Sequence, residues 1–427
     1  MFNIQERGSS LSTEILAGTT TFLTIAYILF LNPKMLGDAG MPANEVAVMI
    51  ALGGAICAVL MCFITNLPYV LAPGVGMSSF FAYGVVLGYK VDWHLALAAA
   101  LVAGVIFLIL VLVGLRNFLY LAFPTVVRIA MMVGVGFFLT IIGFQNAGLT
   151  VAHPATLITL GKISNPDVLL ALFGLFLTGA LMAWQVKSAI LIGIITVTAV
   201  AWSTGLSPAP TTWFAFPKLT GTTLLAMDFS QITSDVFLKI TVAFLMLAVL
   251  DVGGTLSGLS RLGGLMDKDG KIFGSHAAYG VDAIGITLSS LFGTSPNTVF
   301  IESAVGMQAG GRTGLTALTV GFLFLLSLFF IPVFVAIPAT ATAPALIIVG
   351  AMMMRGATDL DWTHAEDIIP AFLTIATMAF TFNVAHGVAF GVISYVILYL
   401  LRGRLYELNW AMLLLSVILS IYLAFYL

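Results

Sequence analysis

The chain has 427 residues, of which 60% are hydrophobic and only 8% are charged, with a formal net charge of −2 and a mean hydropathy of +1.12. Such values exclude a soluble globular domain. Apolar stretches of 16 to 25 residues recur from end to end; each suits a helix crossing a ~30 Å hydrocarbon core, whereas barrel strands would be ~10 alternating residues, so an all-α polytopic membrane protein is predicted.

The N-terminus, MFNIQERGSSLSTEILAGTTTFLTIAYILF, puts an acidic and polar lead before its apolar run. It lacks the basic n-region and short h-region of a secretory signal, so the first helix is expected to remain in the mature protein. Predicted spans follow at 14–32, 45–65, 68–89, 93–115, 120–143, 168–185 and 188–205. Cys57 and Cys62 fall in the second and read as small packing residues. A polar, Pro- and Thr-rich connection (Leu206 to Thr233) leads to seven more, at 236–261, 277–292, 296–309, 314–337, 339–354, 367–382 and 386–401. A hydrophobic tail, 409–427, is left over, as a fifteenth span or an interfacial helix.

Basic residues test this count, because Lys and Arg collect in cytoplasmic loops. With the N-terminus inside, Arg7, Arg116, Arg128, Lys187, Arg261, Lys268, Lys271, Arg312, Arg355, Arg402 and Arg404 fall on the cytoplasmic side. Only Lys34, Lys90, Lys162, Lys218 and Lys239 fall outside. Fourteen spans with both ends of the array inside are therefore predicted. No loop can hold a soluble catalytic domain and no phosphate-binding G-x-x-x-x-G-K-[ST] sequence occurs, which excludes ATP-driven transport by this chain alone. The DKDG at Asp267 to Gly270 reads as a solvated turn. No metal site, cofactor, catalytic residue or nucleic-acid partner is expected.

Two segments break the helical pattern at matching places. The third reads LAPGVGMSSFFAYGVV from Leu71, and the tenth reads FGTSPNTVFIESAVG from Phe292. Unwound backbone in a bilayer is tolerated only beside protein or a water-filled cavity, and paired interruptions point to a transporter's binding site. Half-helices starting near Ser79 and Thr298 would aim their positive ends at the midplane. Glu302 sits in the tenth segment. The eighth span, FLMLAVLDVGGTLSGLSR, places Asp251, Gly254, Thr255 and Gly258 on one small and polar face. Such a face must look inward, and an inward-facing intramembrane acid is a functional candidate. Around these two acids, Thr255, Ser78, Ser79, Phe80, Asn297, Thr298 and Phe300 complete the candidate substrate-binding set. Asn383 and His386, where the run from Asp367 to Leu401 breaks, read as kink residues.

ERGSSLSTEILAGTTTFLTIAYILFLNPKML, APGVGMSSFFAYGVV, FGTSPNTVFIESAVGMQAGGRTGLTAL, PALIIVGAMMM and IIPAFLTIATMAFTFNVAHGVAFGVISYV together resemble the AzgA-like purine permeases of the nucleobase:cation symporter-2 group, over nearly the whole chain to about Arg404. The resemblance implies fourteen segments in two inverted seven-segment repeats, about 14–205 and 236–401. It implies a core domain of segments 1–4 and 8–11, a gate of segments 5–7 and 12–14, and short extended pieces in segments 3 and 10 facing each other. By position, Asp251 matches the second acid of the family's D-x-x-D-x-x-G-T-type pattern and Glu302 the acid of its E-S-A-x-G pattern. The implied function is proton-coupled uptake of purine bases across the plasma membrane, the inner membrane in bacteria. Five departures surround the expected ligand: Ala248 replaces the usual first acid, Ser78 stands at the Asn of G-L-N, and Pro296, Asn297 and His386 replace more typical residues.

Chemically, a carboxylate can accept two N–H bonds from the edge of a purine while Phe rings cover its faces. A carboxyl that alternates between a low-dielectric cavity and water can also exchange a proton. Glu302 is the first candidate for both tasks, with Asp251 the second proton-coupling acid. Another planar or anionic solute on the same architecture, and an uncoupled facilitator or channel, are the alternatives; two carboxylates argue against an anion. The expected partners are a purine nucleobase, a proton and the lipid bilayer. The preferred base and the oligomeric state are left open, a homodimer included.

Overall fold

The computed structural model describes residues 2–115, 122–217, 221–262 and 275–424. Arg116, Lys218, Lys268, Lys271 and the DKDG turn lie outside them. Among the described residues, nine helices are long and apolar enough to cross a membrane. The chain is a multi-pass, mainly helical membrane protein.

The first run is not one uniform helix. It forms α1 (Leu11–Ile25) and α2 (Ile28–Asp38), joined through Ala26 and Tyr27, where the Leu29 and Phe30 amides bond three residues back instead of four. Helix α3 (Ala43–Leu60) runs on as a π-helical turn to Thr65. Strand β1 (Leu71–Pro73) and the short α4 (Val75–Ser79) follow, α4 continuing as a π-helix to Leu87. Next come α5 (Trp93–Leu112) and α6 (Thr125–Asn146). Helix α6 starts later than the expected 120, with Pro124 at its N-cap, where a missing N–H costs nothing. A hairpin of β2 (Thr150–His153) and β3 (Leu157–Leu160) leads to α7 (Pro166–Ala183) and α8 (Ala189–Ser203).

The second half starts with α9 (Asp235–Leu262) and α10 (Ser275–Phe292). Strand β4 (Asn297–Val299) and α11 (Ser303–Gln308) mirror β1 and α4. Then come α12 (Gly314–Ser327), α13 (Ile331–Val335), α14 (Ala339–Met353), α15 (Ala365–Thr381) and α16 (Val384–Leu401). The break between α15 and α16 is complete: Phe382 is left-handed at φ 52°, and the Asn383 side chain accepts from the Ala385 and His386 amides as the cap of α16. The tail forms α17 (Trp410–Ala424), packed against α16.

Packing falls into two groups. Helix α10 lies on α5 and α3, α9 on α5, and α12 on α1 and α3. In the other group α6 lies on α14 and α15, α14 on α7 and α8, and α15 on α16. Small residues set the spacing within each. A Cβ on Gly350 of α14 would fall 2.4 Å from the Gly136 carbonyl of α6, and one on Gly306 of α11 would fall 2.0 Å from the Thr21 hydroxyl of α1. The polar connection between the halves is tied down over the first group, with Leu225 N–H donating to the Leu291 carbonyl (2.8 Å), Ala215 N–H to Phe329 (3.1 Å) and the Thr222 hydroxyl to Glu45.

Candidate functional site

The two extended pieces meet. Strands β1 and β4 pair antiparallel, with Leu71 opposite Val299, Ala72 opposite Thr298 and Pro73 opposite Asn297. A two-stranded ladder leaves half its backbone groups unpaired, and inside a bilayer each must find a partner. Buried side chains supply them: Val299 N–H donates to Asp282 Oδ1 (2.9 Å), Asn297 N–H to Ser289 Oγ (3.0 Å), Val70 N–H to Ser303 Oγ (3.1 Å), and Asn32 Nδ2 to the Pro73 carbonyl (2.5 Å). The ladder is thus clamped by α10, α11 and α2.

The chain leaves the ladder on the two short helices, and here the half-helix starts predicted from sequence need correction. Helix α4 begins at Val75, after Gly74, and Ser79 ends it. Thr298 belongs to β4, and α11 begins at Ser303 with Glu302 at its N-cap. The extended register over Asn297–Val299 delays the second helix and turns the Thr298 and Glu302 side chains to one cavity.

That cavity, of about 160 Å³, lies beside the strand crossing. It is smaller than the ~300–1,000 Å³ of sites for drug-sized ligands, which sets its scale at a small solute. One wall carries the polar groups: Glu302, Asp251 and Thr255 of α9, Thr298, and Tyr27. The Tyr27 hydroxyl donates to Glu302 Oε1 at 3.3 Å, and Thr298 lies beside the Asp251 carboxylate. Asp251 lies within electrostatic range of Glu302 and of Asp282. The facing wall is apolar, built from Met131, Met132, Val135 and Leu139 of α6 with Val349 and Met353 of α14. Phe300 also lines the cavity.

Of the residues singled out from sequence, Glu302, Asp251, Thr255, Thr298 and Phe300 line this cavity; Ser78, Ser79, Phe80 and Asn297 do not. Ser78 is buried and shares a 2.6 Å hydrogen bond with Ser295 behind the crossing. Ser79 donates to the Val75 carbonyl (2.7 Å), Phe80 packs edge-on against Phe244 (5.3 Å), and Asn297 donates to Cys57 Sγ (3.3 Å). Two causes account for the four. The α4 helix begins one turn earlier than the sequence pattern suggests, and Asn297 points to the other face of β4 from Thr298. Ser78→Asn, which restores the family's usual residue type, is therefore expected to destabilise the protein by about 1–3 kcal/mol through overpacking. A melting temperature equal to that of the unmodified protein would contradict this burial.

Sequence reasoning missed Tyr27, the methionine wall and Asp282. Asp282 is fully buried on α10, with Oδ2 lacking a hydrogen-bond partner among the described residues. The signal was present: a lone acid in the apolar run YGVDAIGITL has the same standing as Asp251. Tyr27 carried no such signal, since only the bend between α1 and α2 brings it to Glu302.

A polar wall of intramembrane acids at the crossing of two broken segments is a transporter's arrangement, and a family model agrees: the one described as "Permease family" (xanthine/uracil type) matches residues 12–392. The chain belongs to this family. It is a transporter and not an enzyme. Among its relatives, guanine/hypoxanthine permease PbuO of Bacillus subtilis is 35% identical, the match covering 96% of each chain. Adenine permease AdeP of Escherichia coli is 35% identical over 96% of this chain and 92% of its own. Guanine/hypoxanthine permease PbuG of B. subtilis is 36% identical over 99% of both. In fold the permease is similar to the transmembrane domain of the cyanobacterial bicarbonate transporter BicA, with a TM-score of 0.66 and 18% identity over 90% of this chain and 97% of that one.

Proposed function

We propose that this permease imports purine nucleobases in symport with protons by alternating access. The observation that carries the reading is the division of the cavity: every hydrogen-bonding side chain lies on the wall formed by α9, the β4–α11 segment and Tyr27, and the α6–α14 wall is apolar. A planar base edge rich in N–H groups satisfies Glu302 and Asp251, and thioether and aromatic side chains suit its faces. The names of the purine permease relatives support the same substrate class.

The division also suits transport. A ligand held by one wall alone can travel with it while the smooth opposite wall lets go. The first packing group is the core and the second the gate, in fourteen segments arranged as two inverted repeats, with the N-terminus cytoplasmic and the protein resident in the plasma membrane. Glu302 is the acid that binds the base and carries the proton, and Asp251 shapes the pocket beside it. An anionic solute, as the bicarbonate transporter's name would suggest from fold alone, is disfavoured because it would face two carboxylates.

Competition in proteoliposomes tests the substrate. Unlabelled adenine, guanine, hypoxanthine or xanthine is expected to suppress uptake of labelled purine driven by an inward proton gradient, and nucleosides are not, since a ribose would block closure around the ring. Stronger competition by uracil or sulfate than by every purine would overturn the substrate class. Equilibration without accumulation would make the protein a facilitator.

A further inference from the structure

A second feature lies away from the transport cavity. Helices α1, α3 and α12 diverge around an apolar trough of about 710 Å³, lined by Ile15, Ile56, Val59, Leu318, Phe322 and Leu325 among others. Its single polar residue, Thr319, turns its hydroxyl onto the Leu315 carbonyl (2.9 Å). Only hydrocarbon can fill such a space without stranding a polar group. All three helices end together at a cluster of basic side chains. Arg7 Nη1 donates to the carbonyls of Asn66 (2.7 Å) and Arg312 (3.1 Å), and Arg312 Nη1 donates to those of Met307 (3.0 Å) and Gly311 (3.3 Å). Arg7 precedes Leu11 of the trough by four residues, and Arg312 precedes Leu315 by three.

The charges at this end are unequal in what they have satisfied. Glu14 is buried, and its two oxygens accept from the Arg312 and Thr313 amides and the Thr316 hydroxyl. Glu6 accepts from the Asn3 side chain. Both guanidiniums instead meet neutral carbonyls, and neither takes part in an ion pair among the described residues. Each retains planar N–H groups suited to bidentate recognition of a phosphate.

We propose that an anionic phospholipid occupies this site, its phosphate against Arg7 and Arg312 and one acyl chain in the trough between α1, α3 and α12. The two halves of the site, apolar and cationic, adjoin as the two halves of such a lipid do, and basic sites at the membrane surface between helices are where anionic headgroups bind. A second copy of the chain would have to bring an apolar ridge and an acid in the same register.

Native mass spectrometry of the full-length protein, delipidated and titrated with phosphatidylglycerol or phosphatidylcholine of identical chains, tests this. One phosphatidylglycerol is expected to be retained at least tenfold better than phosphatidylcholine, and glycerol phosphate alone is not expected to be retained. Arg7→Gln and Arg312→Gln should remove the preference for the anionic headgroup, while Val59→Trp, which fills the trough and leaves the arginines intact, should weaken retention of both lipids. Equal retention of the two lipids by the unmodified protein, or an undiminished preference in both arginine variants, would overturn the proposal. So would a Val59→Trp protein that keeps its lipid and changes from dimer to monomer, which would assign the trough to a second copy.

Discussion

Glu302→Gln is expected to abolish proton-driven accumulation of purine in proteoliposomes while the protein stays folded. Gln is nearly isosteric and keeps an acceptor oxygen for the Tyr27 hydroxyl that Glu302 now receives at 3.3 Å, so the N-terminus of α11 loses little. What it cannot do is take up and release a proton. Accumulation against a gradient and the pH dependence of affinity should both disappear, and exchange of labelled for unlabelled base should survive, because exchange moves no net proton. Loss of the charged acceptor should also weaken binding by about 1.5–3 kcal/mol, roughly ten- to 150-fold in affinity. Asp251→Asn provides the contrast. With Thr298 still beside it, that variant should bind more weakly yet accumulate substrate at saturating concentration. Accumulation by the Glu302→Gln protein at the level of the unmodified one would move the proton role to another acid, Asp251 first.

The second large effect is structural. Glu14 of α1 accepts the Arg312 amide (2.9 Å), the Thr313 amide (3.3 Å) and the Thr316 hydroxyl (2.6 Å), and so sits at the start of α12. A carboxylate there satisfies orphan amides and complements the helix dipole. Glu14→Ala strands three donors, at roughly 1–3 kcal/mol each and about 3–9 kcal/mol together. Against a typical stability of about 5–15 kcal/mol, that is a large fraction. The variant should lose most of its monodisperse yield and melt well below the unmodified protein in size-exclusion thermal challenge, with Glu14→Gln in between. A Glu14→Ala protein with unchanged melting would show that α12 is anchored elsewhere.

The two acids illustrate different kinds of legibility. Glu302 stands beside Pro296 and Asn297 in an apolar run, and a helix breaker next to an intramembrane charge is anomalous in any bilayer context. Glu14 opens the first predicted span, next to a polar lead, where an acid is unremarkable in sequence. Its burial depends on the 312–316 turn, about 300 residues away.

Composition and the spacing of apolar runs were sufficient for a helical, multi-pass membrane protein, because lipid imposes length and hydrophobicity on each segment independently of its neighbours. The interruptions after Leu71 and Phe292 and the acids Asp251 and Glu302 were legible for the same reason, as local violations of that rule. Which side chains converge was decided only in three dimensions. The β1–β4 register sets Thr298 toward the cavity and Asn297 away from it, the start of α4 at Val75 leaves Ser78 behind the crossing, and the bend at Ala26 and Tyr27 delivers a phenol to Glu302. The apolar wall of Met131, Met132 and Met353 had no separate signal, since a methionine facing substrate and one facing lipid obey the same hydropathy. Directions of side chains follow from pairing and packing between distant segments, and a one-residue change of register reverses them.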